Sequence, residues 1–313
     1  MTSKVKDLTR EREWRERTVN ADESLVEADE VRAWWPLKRM PWLYDRHMGG
    51  HGLAYHLYVP HAQAPLRPLP LVLWLHGGVW TSFSQLSARE LRNDSIFWRD
   101  QATTPHYLLR PIARRRENWC SPHAGPRTGS HPLRRRPPPS LGLASSLLDH
   151  ILAGAHNTSV DRTRLTIAGA SMGAYGVWEL IQRRPGLFSS AIAICGGGDV
   201  AKARLLNTTR IWAFHSADDE RVPVNASREM LAAILAARGV PSARTRTRRR
   251  YEYLQTSGGT QQRVAAVESW VQTGHGARAD RFADLRYTEY VRGGHDAWTR
   301  ALHDKRLAKW ALN

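Results

Sequence analysis

The stretch DRTRLTIAGASMGAYGVWELIQRR, residues 161–184, decides the fold of this 313-residue chain. An apolar run, LTIAG, precedes Ser171, and apolar residues at helical spacing follow it. The pentapeptide 169–173, GASMG, matches G-x-S-x-G between a strand and a helix, which is the arrangement of a nucleophile elbow. There the serine protrudes from a strained turn, and the two glycines let neighbouring backbone pass close. The pattern favours Ser171 as a nucleophile over an idle serine in a glycine-rich turn.

Strand-like and helix-like segments alternate around this stretch. Apolar or alternating runs predict further strands, and runs at helical spacing predict helices. The strands are expected within 52–60, 71–78, 189–197, 209–216 and 284–291, and the helices within 141–155, 225–239 and 297–312. This alternation predicts an α/β fold whose sheet is mostly parallel and covered by helices on both faces.

The chain divides into a charged N-terminal helical extension, residues 1–45, and one large domain, residues 46–313. Two basic ranges without clear periodicity, about 79–140 and 241–283, interrupt the domain and are interpreted as insertions. Only PHYLLRPIA, residues 105–113, suggests one more strand there.

The formal net charge is +17, from 46 basic and 29 acidic residues. Arginine triplets at 114–116, 134–136 and 248–250 fall in segments that look like loops. A nucleic-acid or anionic-surface partner is one interpretation. The triplets lack interleaved aromatic residues and any recognisable nucleic-acid module. We therefore expect them to lie in solvated loops, and we expect no nucleic-acid partner.

The sequence contains no run of about 18 apolar residues, so no membrane-spanning segment is expected. The charged start lacks the apolar core of a secretory signal, which favours a cytoplasmic location. Two cysteines, Cys120 and Cys195, make no disulfide framework, and both are expected to be reduced.

A serine hydroxyl is a weak nucleophile unless a base accepts its proton. After an elbow serine, the acid and then the histidine follow in chain order, each in a loop after a later strand. His295 follows the strand-like RYTEYV and two glycines, and it precedes the final helical segment. It is therefore the candidate base. Three other histidines are interpreted as structural or surface residues: His215, His275 and His303.

The acid is expected in HSADDERVP, residues 215–223, between a strand and a helix. Asp218, Asp219 and Glu220 are adjacent there, and their chemistry alone does not choose among them. Asp296 is a weaker candidate for the acid, because a carboxylate next to His295 in sequence cannot easily reach Nδ1 of the His295 ring.

An oxyanion hole is expected from the N–H of Met172 and one N–H of the loop HGGVW, residues 76–80. Gly78 is the candidate donor in that loop, with Val79 as the alternative. His76 is interpreted as structural rather than as a ligand or base.

These motifs resemble those of the dienelactone hydrolase-like and prolyl oligopeptidase-like group of α/β hydrolases, related to polyhydroxybutyrate depolymerases and feruloyl esterases. The resemblance covers roughly 50–80 and 141–310. It implies the α/β-hydrolase fold, and it implies Asp219 as the acid, the fifth residue of an H-G-x-x-D-x-x-V-P motif in which Ser216 here replaces the glycine. The family's G-H-D-x-W motif corresponds to the residues beginning at Gly294 and implies His295 as the base. Dienelactone hydrolases proper use a cysteine nucleophile, so Ser171 argues against that activity.

The expected function is hydrolysis of a carboxylic ester through an acyl-enzyme, with Ser171, Asp219 and His295 as the triad. No cofactor and no metal are expected, and the partner would be a small or oligomeric ester substrate. A serine peptidase of the prolyl oligopeptidase-like type is the alternative. A binding protein that uses the basic loops on an anionic polymer is a third hypothesis, which the complete set of three residues disfavours.

Overall fold

The computed structural model of the chain describes residues 53–60, 67–78, 104–114, 116–120, 131–240, 245–255, 261–271 and 284–313. The predicted N-terminal extension, residues 1–45, lies outside this described part.

Nine strands form one sheet in the described residues. Its order is β1-β3-β2-β4-β5-β6-β9-β8-β7. The six strands from β3 to β9 in this order run parallel, and β1, β7 and β8 run antiparallel to their neighbours. The strands are β1 (Ala54–Tyr58), β2 (Leu69–Leu75), β3 (Tyr107–Ile112), β4 (Val160–Ala170), β5 (Ser190–Ile194), β6 (Arg210–Ser216), β7 (Thr245–Gln255), β8 (Gln261–Val271) and β9 (Leu285–Tyr290).

Helices cover both faces of the sheet. They are α1 (Pro139–Leu152), α2 (Met172–Arg183), α3 (Asn225–Ala237), α4 (Ala297–Leu302) and α5 (Lys305–Leu312), with 3-10 helices at Ala155–Asn157 and Val200–Leu206. In β2, Leu71 and Leu73 pack into the core beneath α1, α2 and α3, whereas Val72 and Trp74 pack into the core beneath α4 and α5. A strand buried on both faces is apolar throughout, which explains the continuous run LPLVLWL. The predicted fold class, mostly parallel α/β, is confirmed.

The topology brings the candidate site together. Strands β4, β5, β6 and β9 are consecutive neighbours and parallel, so their carboxyl ends lie along one edge of the sheet. Ser171 follows β4, Asp219 lies three residues after β6, and His295 lies five residues after β9. Residues separated by as many as 124 positions therefore meet at this edge.

The basic range 241–283 differs from the loop-like expectation. Arg248–Arg250 lie within β7, which pairs with β8 over eleven residues to form an antiparallel hairpin at the sheet edge. Charged side chains are common on edge strands because one edge of such a strand faces solvent. The sequence reasoning relied on alternating apolar and polar residues to identify strands. The run of charged residues in β7 lacks that alternation, so the strand was not predicted. The other range, about 79–140, contributes β3, which lies between β1 and β2.

The last helix predicted from the sequence, within 297–312, is divided into two helices in the structure, α4 and α5. Asp304 breaks it, because its carboxylate accepts the N–H of Arg306 at 3.0 Å and caps a new helix, α5. None of the helices in the described ranges is long and apolar enough to cross a membrane. Cys120 and Cys195 are both buried and form no disulfide.

Candidate active site

Ser171 occupies a strained turn between β4 and α2. Its backbone has φ 54° and ψ −119°, a region that residues with a side chain rarely adopt. Its N–H donates to the carbonyl of Ile194 on the neighbouring strand at 2.8 Å, which ties the turn to the sheet. This is the backbone geometry of a nucleophile elbow.

The two glycines that flank Ser171 are required by close packing. A Cβ at Gly173 would lie 1.9 Å from the carbonyl oxygen of Leu75, at the end of β2. A Cβ at Gly169 would lie 2.6 Å from the carbonyl oxygen of Gly173 and 2.9 Å from that of Leu75. The elbow, the start of α2 and the end of β2 are therefore in backbone contact, which only glycine permits.

We expect Gly173→Ala to destabilise the protein by about 3 kcal/mol or more, because the new methyl group would overlap backbone that cannot move aside. Urea unfolding measures this change. Gly142→Ala is the matched control, since Gly142 also lies in a helix and its Cβ would sit at an ordinary 3.5 Å from Pro137. It should keep or raise stability, by up to about 1 kcal/mol. Equal effects of the two substitutions would contradict the packing argument.

His295 contacts the serine directly. The hydroxyl Oγ of Ser171 lies 2.8 Å from Nε2 of His295. Gly293 and Gly294 precede the histidine with φ of +151° and +57°, so a sharp turn of the kind that glycine favours directs the ring toward the elbow. Trp298 packs edge-on against the imidazole with ring centroids 5.3 Å apart.

Asp219 is the acid that reaches the other side of the imidazole. Its two carboxylate oxygens lie 3.0 and 2.8 Å from Nδ1 of His295. Because Nδ1 faces a carboxylate, this nitrogen carries the hydrogen, and Nε2 is left as the acceptor of the Ser171 proton. Burial alone would raise the pKa of Asp219, but hydrogen bonds from two histidines and two backbone N–H groups outweigh it and hold the pKa well below its usual range.

His215 also contacts this carboxylate, a role that the sequence reasoning missed. Nε2 of His215 lies 3.4 Å from Asp219 and 3.0 Å from the carbonyl oxygen of Val222, and its Nδ1 lies 2.8 Å from the hydroxyl of Ser227. The side chain is fully buried. Since both neighbours of Nε2 are acceptors, Nε2 donates. The only signal in the sequence was a histidine four residues before the acid, after a buried strand.

The other nearby carboxylates have different partners. Asp218 accepts the backbone N–H groups of Gly293 and Gly294 at 3.2 and 2.9 Å. This links the acid loop to the histidine loop. Asp296 accepts the N–H of Thr299 at 3.2 Å and caps α4. Neither carboxylate has a hydrogen bond to the His295 ring among the contacts of the described residues.

The candidate oxyanion donors lie beside the elbow. Met172 is the first residue of α2, where a backbone N–H has no acceptor within the helix. A Cβ at Gly78 would lie 3.7 Å from the Met172 side chain, so the two candidates are neighbours. Val79 lies outside the described residues.

His76 has a structural environment. Its Nε2 accepts the N–H of Ala113 at 3.0 Å, and its Nδ1 bonds the Gly77 carbonyl at 2.8 Å. Burial lowers the pKa of His76 to about 4, so the ring is neutral near pH 7. It joins the ends of β2 and β3.

One group in the described part of the chain combines three side chains of metal-binding type. The ligand atoms of Cys195, Asp219 and His295 lie within 4.8 Å of one another. The thiol of Cys195 is fully buried, which raises its pKa well above the usual value and disfavours the thiolate that a metal needs. The other two side chains bind each other. These three side chains are therefore better explained as part of the hydrogen-bonded site around Ser171 than as ligands of a metal ion.

No protein-family model and no curated protein matches the chain. Solved structures do. A thermostable esterase has a TM-score of 0.62 and 26% sequence identity, over 86% of this chain and 61% of that chain. Acetyl xylan esterase from Aspergillus awamori has a TM-score of 0.54 and 11% identity, over 88% of this chain and 99% of that chain. Pyrococcus horikoshii acylaminoacyl peptidase has a TM-score of 0.54 and 11% identity, over 91% of this chain and 43% of that chain.

The chain spans about three fifths of the thermostable esterase and less than half of the peptidase. All three proteins match most of this chain. The chain therefore has the α/β-hydrolase fold and is similar in structure to esterases and peptidases of that fold.

Proposed function

We propose that this α/β hydrolase is a serine hydrolase that cleaves a carboxylic ester through an acyl-enzyme. The observation that carries the proposal is the hydrogen-bonded chain from Ser171 through His295 to Asp219, with contacts of 2.8 Å on each side of the imidazole. These distances lie within the range for proton transfer between a nucleophile and its base.

In the first step, Nε2 of His295 accepts the Ser171 proton while Oγ attacks the ester carbonyl. The imidazolium that forms is stabilised by the Asp219 carboxylate, which the surrounding donors keep ionised. His295 then donates the proton to the leaving alcohol, and the acyl group stays on Oγ. Water attacks this acyl-enzyme with His295 as the base again, which releases the acid and restores the hydroxyl.

The negative charge on the carbonyl oxygen requires donors at the elbow. We assign these to the N–H of Met172, at the positive end of α2, and to the N–H of Gly78. Gly78 itself carries no side chain, which leaves room for a carbonyl to approach its backbone.

An ester is proposed rather than a peptide bond because the thermostable esterase is 26% identical in sequence to this chain, whereas the acylaminoacyl peptidase is 11% identical. Amide cleavage is the alternative outcome. Rates with a panel of aryl esters and peptide anilides separate the two, since a peptidase cleaves peptide anilides as well as esters, whereas an esterase cleaves the esters and leaves the anilides essentially intact.

We expect a fluorophosphonate probe to label one residue, Ser171, because such probes react with serines that a neighbouring base activates. Mass spectrometry of the digested protein identifies the modified peptide. Ser189→Ala, which removes a hydroxyl bound to the Leu165 carbonyl toward the opposite edge of the sheet, should label normally. Labelling elsewhere, or no labelling of folded protein, would contradict the proposed nucleophile.

A further inference from the structure

Asp219 lies in the loop 217–224, between β6 and α3. A side chain on a loop is placed less precisely than one on a strand or helix, unless further contacts hold it. Two backbone N–H groups of the same loop, from Arg221 and Val222, each donate to Oδ1 of Asp219 at 2.9 Å. Because these two donors belong to the loop, they fix the carboxylate relative to the loop and leave open what fixes it relative to the sheet.

His215 connects this loop to the sheet. It is the residue before the last of β6, an inner strand, and its side chain is fully buried. Its Nε2 lies 3.0 Å from the carbonyl oxygen of Val222 and 3.4 Å from Oδ2 of Asp219, so the bond to Val222 is the shorter of the two. Since the N–H of Val222 donates to the same carboxylate, the three residues form a closed ring of contacts. A side chain from an inner strand thus spans the loop that carries the acid.

Ser227 fixes the other side of the His215 ring. It lies in the first turn of α3 and is fully buried, and its Oγ is 2.8 Å from Nδ1 of His215 and 3.0 Å from the carbonyl oxygen of Gly196. The single hydroxyl hydrogen points either to that carbonyl or to Nδ1. In both arrangements Nε2 of His215 carries a hydrogen, because both of its neighbours can only accept. The ring therefore presents a donor to the acid loop whichever way the hydroxyl turns.

The contact also bears on the charge of Asp219. Burial raises the pKa of this carboxyl, but hydrogen bonds from His215 and His295, together with those of the loop, hold the pKa below its usual range. An ionised carboxylate stabilises the imidazolium that forms on His295, whereas a protonated one does so poorly. The same donor that orients Asp219 therefore helps to keep it ionised.

We propose that His215 and Ser227 are positioning residues, which hold the carboxylate of Asp219 against Nδ1 of His295. The inference rests on the proposed function, because it gives the pair a part in the same proton path. The pair acts through Asp219, which stands between it and the base. A displaced carboxylate would leave Nδ1 without its partner, and a misplacement of about 1 Å can cost about a hundredfold in rate.

Two substitutions of His215 separate its Nε2 donor from the rest of the ring. Glutamine carries its NH₂ group close to the position of Nε2 and can still donate to the carbonyl of Val222, whereas the shorter asparagine places its amide near Nδ1. We expect His215→Asn to lower kcat for an aryl ester by about a hundredfold, with little change in KM, and His215→Gln to stay within about tenfold of the wild type. Equal losses in the two variants would contradict the role of the Nε2 donor.

Ser227→Ala tests the pair without burying a new polar group, and alanine is well tolerated in a helix such as α3. Ser190→Ala is the matched control. Ser190 is also fully buried, and its hydroxyl also donates to a backbone carbonyl, that of Ala311, at 3.0 Å. It begins β5, at the opposite end of the strand from the site. We expect Ser227→Ala to lower kcat by about tenfold and Ser190→Ala to leave it unchanged, and equal values would overturn the part of Ser227.

The tautomer of His295 is a measurement that needs no substrate. Nuclear magnetic resonance of the full chain, labelled with ¹⁵N in histidine, shows which ring nitrogen carries the hydrogen when the imidazole is neutral, and comparison with His295→Ala assigns the signals. We expect the hydrogen on Nδ1 in the wild type, His215→Gln and Ser190→Ala, and shared between both nitrogens in His215→Asn. A variant that is merely less stable would keep the wild-type tautomer while folded. That result for His215→Asn would overturn the proposal.

Failure of the positioning role can be told apart from failure of the proposed function. Wild-type protein that cleaves no ester and no anilide contradicts the proposed function, and the tautomers then decide the positioning role alone. An active wild type whose His215→Asn and Ser227→Ala variants match it in kcat and in tautomer overturns the positioning role and leaves the esterase in place. Unfolding temperatures show whether His215→Asn folds. If it does not, Ser227→Ala against Ser190→Ala decides, by kcat and by tautomer.

Discussion

Replacing Ser171 with alanine is expected to lower kcat for a short-chain aryl ester by a factor on the order of a million, because it removes the nucleophile of the proposed acyl-enzyme. His295 and Asp219 would remain, but without the hydroxyl at 2.8 Å the imidazole has no side-chain nucleophile to deprotonate. Initial rates with wild-type and variant protein at equal concentration measure the loss. Retention of more than about a hundredth of the wild-type rate would reject Ser171 as the nucleophile.

Ser171→Gly supplies a control that separates the hydroxyl from the strained backbone. Alanine keeps a Cβ at φ 54°, so the Ser171→Ala protein carries the same backbone strain as the wild type. Glycine removes this backbone strain, which costs about 1 to 3 kcal/mol. Part of that gain in stability is offset by the greater conformational freedom of glycine in the unfolded chain. Both variants should be inactive, and the glycine variant should unfold at a higher urea concentration than the alanine variant.

The elbow could be predicted from the sequence because its signals are local. An apolar strand, two glycines and a helix lie within 24 consecutive residues, and each glycine is required by contacts that a side chain would block. The histidine was also predictable, since topology limits the base to a loop after a late strand and only His295 occupies such a position.

The acid was harder to predict for a physical reason. Asp218 and Asp219 are chemically identical, and adjacent side chains of a loop point in different directions that only the folded backbone determines. In the structure Asp219 turns inward to the imidazole, whereas Asp218 turns toward the N–H groups of Gly293 and Gly294. From the residues alone the choice was open, and only the family resemblance favoured Asp219.

The β7–β8 hairpin was not predicted because its stabilising contacts are between strands. The segment TRTRRRYEYLQ lacks an apolar face that would mark a strand, but β8 pairs with it on one side and with β9 on the other. Arg248 lies opposite Glu268, and the same carboxylate binds Arg306 of α5. Such partners are far apart in sequence, so the charge pattern of a single segment indicated a loop.

Asp219→Asn is expected to lower kcat by about ten-thousandfold while the protein stays folded. Oδ1 of Asp219 accepts the N–H groups of Arg221 and Val222, each at 2.9 Å. An asparagine would place its carbonyl oxygen there, since its NH₂ group cannot accept those hydrogens. The NH₂ would then occupy the Oδ2 position, 2.8 Å from Nδ1 of His295.

The amide would donate to Nδ1 and thereby move the ring hydrogen to Nε2. A histidine that carries its hydrogen on Nε2 cannot accept the proton of Ser171, so the loss appears in kcat rather than in substrate binding. Asp218→Asn is the matched control: the same substitution one residue earlier leaves the His295 tautomer unchanged and removes at most one acceptor for the glycine turn. We expect it to cost less than about tenfold. If Asp218→Asn were the damaging change and Asp219→Asn nearly neutral, the acid of the site would be Asp218 and the proton path through Asp219 would be wrong.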